Sequence, residues 1–136
     1  MAKPEQCLNN SIDMGFSKLE LKEGYIRQTY LKDTTIDLEK AVKINHSIEK
    51  LTQKKKLPLL LIGSNGIQPT LEVRKYGSTK RANKYTSALA IVISKRNLAQ
   101  RILGNFIVNV DKRPMPTKIF TNEKDAKFWI DKYILN

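Results

Sequence analysis

The run Leu57-Pro58-Leu59-Leu60-Leu61-Ile62-Gly63 constrains this chain more than any other stretch. It is apolar throughout, follows Lys54, Lys55 and Lys56, and closes in Gly63-Ser64-Asn65-Gly66. A short unbroken apolar run bounded by turn residues is a strand buried on both faces or a piece of buried helix. The run is short for a helix, so a strand is expected. Strands buried on both faces belong to parallel sheets covered by helices. Ser87 to Ile93 repeats the pattern and predicts a second such strand.

The remaining elements follow from local period. Met1 to Phe16 shows none, and residues 1–16 are expected to be a loosely ordered N-terminal segment. Lys18 to Lys22 alternates apolar with charged residues, Glu23-Gly24 supplies a turn, and Tyr25 to Tyr30 is β-rich, which together predict a hairpin. Its polar faces suggest the edge of a sheet. Leu38, Ala41, Val42, Asn45, Ile48 and Leu51 recur at helical spacing after an N-cap signal at Asp33 to Asp37, predicting a helix to about Gln53. A short helix is expected after Pro69, ending at Gly77, and Thr79 to Tyr85 also has a helical composition. Ser94 opens a helix with Leu98, Ile102 and Phe106, Thr117 to Phe120 is a short strand, and Thr121-Asn122-Glu123 starts a last helix.

The order ββαβαβαβα predicts one α/β domain over residues 17–136, with a mixed, mainly parallel central sheet and helices on its faces. Its expected core places Leu59, Leu61, Ala90 and Val92 in neighbouring strands. Leu38, Val42, Ile48, Ile102, Phe106, Ala126, Trp129 and Ile130 are expected to pack over them.

Over Lys18 to Ile134 this order resembles the SpoIIAA-like group of STAS domains. The residues that carry the resemblance are Ala88-Leu89-Ala90-Ile91-Val92-Ile93, Leu98-Ala99-Gln100-Arg101 and the ending Pro114 to Ile134. Within that ending, Phe120, Glu123, Ala126 and Trp129 are similar to the group's finish. The resemblance implies a regulatory or binding module without catalytic residues. It also implies a phosphorylatable Ser at a helix N-terminus after a central strand, within Asp-Ser-Ser-Gly. Here Gly63-Ser64-Asn65-Gly66 stands at that place, with Ser64 matching and the Asp and second Ser missing.

No residue pattern calls for catalysis, a metal or a cofactor. His46 sits inside the first long helix, Cys7 in the N-terminal segment, and Gly63 to Gly66 lacks the Lys-Ser/Thr of a phosphate loop. One cysteine and the lack of a signal-like or 20-residue apolar segment lead to the expectation of a cytoplasmic protein without a membrane span. Charge points further: across 136 residues the net charge is +12, which favours anionic partners.

From Val73 to Val110 there are eight basic residues and no acidic one. Arg74, Lys75, Lys80, Arg81 and Lys84 form an expected basic surface with Tyr76 and Tyr85 between them. In open α/β sheets ligands sit outside the carboxyl ends of the strands. There Ser64, Asn65, Ser94, Lys95 and Arg96 are the candidate ligand or phospho-switch residues, with Thr121 and Asn122 on the same rim. The expected partner is a protein or a small anionic ligand; the alternative is nucleic acid.

Overall fold

Leu57–Ile62 is a strand, and it lies between two parallel neighbours. The computed structural model describes residues 6–8, 10–30, 35–63, 68–77, 79–93 and 114–134. Its strands are β1 (Gln6–Leu8), β2 (Ser11–Asp13), β3 (Ser17–Leu21), β4 (Ile26–Tyr30), β5 (Thr35–Ile36), β6 (Leu57–Ile62), β7 (Gln68–Pro69), β8 (Thr86–Val92) and β9 (Thr117–Phe120). Its helices are α1 (Leu38–Thr52), α2 (Leu71–Gly77) and α3 (Glu123–Ile130), the last followed by a 3-10 turn at Asp131–Tyr133.

The main sheet has seven strands in the order β1-β2-β3-β4-β6-β8-β9. β1 to β4 pair antiparallel, and β4, β6, β8 and β9 pair parallel. The fold is therefore mixed α/β with a parallel centre. A separate parallel pair, β5 and β7, ties the connection leaving β4 to the one leaving β6.

Pro58 is an unusual member of a central strand, because it has no N–H for a ladder. The register resolves this. Leu57 pairs with Thr86 and Leu59 with Leu89, so β8 bulges opposite Pro58. Pairing to β4 begins only at Leu59, with Ile26. No neighbouring strand needs the missing donor, and Pro58 is buried.

Alternation along β6 and β8 divides the core in two. Leu59, Leu89, Ile91 and Ile93 face one side, with Ile12, Leu19 and Ile26, under Ile44, Ile48 and Leu51 of α1. Leu60, Ala90 and Val92 face the other side, under Ala126 and Ile130 of α3. Helix α1 has the expected bounds. The Asp37 side chain accepts from Lys40 N–H at 2.9 Å, and Gln53 ends the helix in a left-handed conformation at φ 53°. That capping bond holds the Asp37 carboxyl below the usual aspartate range.

Several expectations need correction. Residues 1–16 contain β1 and β2, and Ile12 is wholly buried, so the expected loose segment supplies two strands of the sheet. Pairing of Ile12 with Leu19 and burial of Ile12 and Met14 in the core hold them; the alternation Ser11-Ile12-Asp13-Met14 is their only mark in the sequence and is short. The β3–β4 hairpin forms as read but lies inside the sheet. Its polar residues Lys18, Glu20, Arg27 and Thr29 share the face that carries α3, beside the strands α3 packs on. The buried stripe of α1 is Ile44, Ser47, Ile48, Leu51 and Thr52. Leu38 is exposed, and Val42 is half-buried. Asn45 instead meets α2, where its Nδ2 donates to the Tyr76 hydroxyl at 3.3 Å.

Leu61 is half-buried at the margin of the first core cluster. Thr79 to Tyr85 forms successive turns, not a helix. The Thr79 hydroxyl donates to Tyr76 O and accepts from Ala82 N–H, and Asn83 Nδ2 donates to Gly77 O. Such side-chain bonds offer the backbone an alternative to a helical ladder. Ile102 and Phe106 lie outside the described residues.

Candidate functional site

The parallel strands give the sheet two chemically different ends. The carboxyl ends of β6, β8 and β9 share one edge, as expected. There Gly63 N–H donates to Val92 O at 2.9 Å, and Ile93 N–H donates to Phe120 O at 2.8 Å. Ser64, Asn65, Ser94, Lys95 and Arg96 lie outside the described residues. On the described part of this rim, Asn122 caps α3 by accepting from Asp125 N–H at 2.8 Å. Its role there is helix capping.

The amino ends of β6 and β8 share the opposite edge, and both are preceded by basic segments. Leu57 is the register partner of Thr86, and Leu57 N–H donates to Tyr85 O at 3.2 Å. This places Lys54-Lys55-Lys56 alongside the turns that carry Lys80, Arg81 and Lys84. All six side chains are exposed. Lys75, on α2, is exposed too. Arg74 lies on the same helix.

Local chemistry explains how the edge is built. Lys54 N–H reaches back to Glu49 O, and Gln53 N–H to Lys50 O, closing α1 with two consecutive left-handed residues. Glycine or asparagine is usual at such a place; this chain uses Gln53 and, at φ 65°, Lys54. On the second segment Tyr85 packs against the core, and Lys84 Nζ lies 5.6 Å from its ring centroid. The two tyrosines expected to alternate with the cations on the surface are thus half-buried, Tyr76 against α1 and Tyr85 against the core.

Elsewhere four cations are paired. Arg27 Nε and Nη2 donate to the two carboxylate oxygens of Glu123 at 2.7 and 3.0 Å, and its Nη1 donates to Glu20 at 3.2 Å. Lys22 binds Glu20, Lys40 lies by Asp37, and Lys127 pairs with Asp131. Among the described residues, Lys54, Lys55, Lys56, Lys80, Arg81 and Lys84 make no ion pair.

The Arg27 cluster ties α3 to the hairpin. Its guanidinium hydrogen bonds hold the Glu123 carboxyl below the usual glutamate range, against a smaller opposing effect of burial. Burial pushes Glu20 upward, but hydrogen bonds and charges from Lys22, Lys18 and Arg27 outweigh it, and its net shift is also downward. Carboxylates lowered in the folded state stabilise above their ordinary value, and that stabilisation disappears as pH falls through the folded value. We expect Arg27→Met to lower stability by roughly 0.5–1 kcal/mol at neutral pH. Urea midpoints at descending pH should show the gap to the parent narrowing below about pH 4.3, the ordinary glutamate value. A gap constant from neutral to acid pH would show that the loss is one of packing.

The remaining candidates separate from this edge or stay unremarkable. His46 is exposed on α1, and Cys7 stands in β1 opposite Ile12. Among the described residues no group of three or more His, Cys, Asp or Glu side chains could hold a metal ion. No described helix is long and apolar enough to cross a membrane. The joint edge has a signal in the sequence: both basic segments closely precede apolar strands. Two adjacent parallel strands bring their preceding segments to one end. The pairing of Arg27 with Glu123 has no such signal, since the two lie 96 residues apart.

Residues 19–134 match the family described as Domain of unknown function (DUF7793). No curated protein matches the chain. Among solved structures, the crystal structure of an uncharacterized protein from the DUF3478 family with a SpoIIAA-like fold, from Shewanella loihica PV-4, is similar to it. The two are 17% identical, with 82% of this chain and 90% of that chain covered and a TM-score of 0.49.

Proposed function

The chain belongs to the DUF7793 family, a domain of unknown function, and from its own surface we propose that it is a non-catalytic binding module of the STAS-like type that docks an anionic partner, a protein or a small ligand. What supports this reading is the basic surface of Lys80, Arg81 and Lys84, all exposed in the turns that follow α2, with Lys75 exposed on α2 itself. A surface of one sign steers oppositely charged partners and speeds their encounter. Ser64, Asn65, Ser94, Lys95 and Arg96, which follow β6 and β8 in the sequence, are ligand or phospho-switch candidates in the same reading.

Retention on a heparin column separates a docking surface from mere net charge. Lys80→Glu with Arg81→Glu removes two positive charges and adds two negative ones at the basic edge. Lys118→Glu with Lys124→Glu makes the same change at two exposed positions on β9 and α3. The first pair is expected to elute at clearly lower salt than the second. Equal elution would assign the retention to overall charge and remove the docking surface.

A further inference from the structure

We propose that the amino-terminal edge of the sheet, where Lys54, Lys55 and Lys56 meet Lys80, Arg81 and Lys84, binds the phosphate backbone of nucleic acid without reading its bases. This rests on the anion-docking part of that reading and puts nucleic acid, the alternative partner, in place of a protein or small ligand.

Three observations carry it. The first is convergence. The two segments are separated in sequence by β6, β7 and α2, yet the Leu57–Tyr85 bond and the Leu57↔Thr86 register set them side by side. Paired strands lie about 4.8 Å apart, so cations on adjoining segments form one field and not two. The second is that none of the six makes an ion pair among the described residues; scattered cations such as Lys118, Lys124 and Lys132 share that state, but only here do six such charges converge. Six unneutralised like charges repel one another, and an external polyanion relieves that repulsion. The third is Lys54 itself. A non-glycine residue at φ 65° stores backbone strain, and here the strained position also carries a charge.

Composition decides between a nucleic acid and an acidic protein. Protein interfaces are built on a desolvated centre rich in aromatic and apolar anchors and are poor in lysine. This edge is five lysines and one arginine. The large apolar side chains exposed among the described residues, Leu38 and Phe128, lie on α1's first turn and on α3. Lysine-rich, anchor-free surfaces suit phosphates, where each contact releases counterions. Base stacking is not expected, because Tyr85 packs into the core and Tyr76 binds Asn45. Affinity therefore comes from the phosphate contacts and follows their dependence on salt.

The test is fluorescence anisotropy of a labelled random-sequence DNA duplex with the full chain, across a range of salt. Binding to duplex DNA weakens by a logarithmic slope of about −0.9 per phosphate contact, so full engagement of six cations gives a slope of about −5. Lys55→Ala and Arg81→Ala should each reduce that slope by about one contact. Lys118→Ala should leave it unchanged. Far-UV circular dichroism confirms that each variant is folded. A slope insensitive to one of the two segments, or equally sensitive to Lys118, would overturn the proposal. So would poly-L-glutamate of matched charge competing as well as unlabelled duplex, an outcome that keeps an anion-docking module and assigns it an acidic protein. No binding of either polyanion at about 50 mM salt, where phosphate contacts are strong, would overturn both readings together.

Discussion

Leu60→Ala is expected to lower the free energy of unfolding by about 2–5 kcal/mol, toward the upper end of that range. Leu60 has no exposed surface. It stands in β6 with Arg27 of β4 on one side and Ala90 of β8 on the other. Above it α3 contributes Ala126 and Ile130, both wholly buried. Two of these neighbours are alanines, which have no flexible side chain to move into a vacated space. The cavity would therefore stay open, and the loss rises with the volume left empty. Leu61→Ala is expected to cost less, because Leu61 is half-buried at the margin of the other core cluster. Urea unfolding of both variants checks the comparison, with the slope against denaturant unchanged. A loss at Leu61 equal to that at Leu60 would contradict the two-sided core.

Gly24→Ala should destabilise by about 2–4 kcal/mol, through two separable causes. Gly24 turns the β3–β4 hairpin at φ +86°, where an L side chain is strained. A methyl group at that Cα would also overlap Ile134 Cγ2. The hairpin is closed here by Lys22 N–H donating to Tyr25 O at 2.8 Å, so the loop cannot swing away without losing a ladder bond. A double-mutant cycle with Ile134→Ala divides the effect. Removing the isoleucine branch should relieve the steric share and leave about 1–2 kcal/mol of backbone strain. If Ile134→Ala relieves nothing, the C-terminal segment does not close over this turn. If the single Gly24→Ala variant is as stable as the parent, the hairpin turn is not the one described.

Strands and helices whose character depends on their own residues were legible in the sequence. β6 and β8 are continuous apolar runs because both of their faces are covered, and that requirement acts on each residue in turn. α1 was readable at both ends, since the Asp37 cap and the turn of lysines after Thr52 are local chemistry. The final helix announced itself through Asn122. Where side chains bonded to nearby backbone, periodicity misled: Thr79 and Asn83 make turns out of a segment with helical composition.

For the candidate surface, the sequence by itself determined that Lys80, Arg81 and Lys84 would meet solvent, because lysine and arginine without partners stay hydrated. It determined the two central strands and their covering helices by the same hydration argument, applied to apolar residues. Tertiary structure alone decided which strands are neighbours. Strand pairing is made by backbone groups that every residue carries, so β1 and β2 joined the sheet on a side-chain signal as short as the alternation Ser11-Ile12-Asp13-Met14. The same pairing brought Leu57 beside Thr86 and so merged two lysine-bearing segments into one edge. It also carried Arg27 to within hydrogen-bonding distance of Glu123. Local periodicity reports which face of an element is buried; it carries no information about what lies across from it.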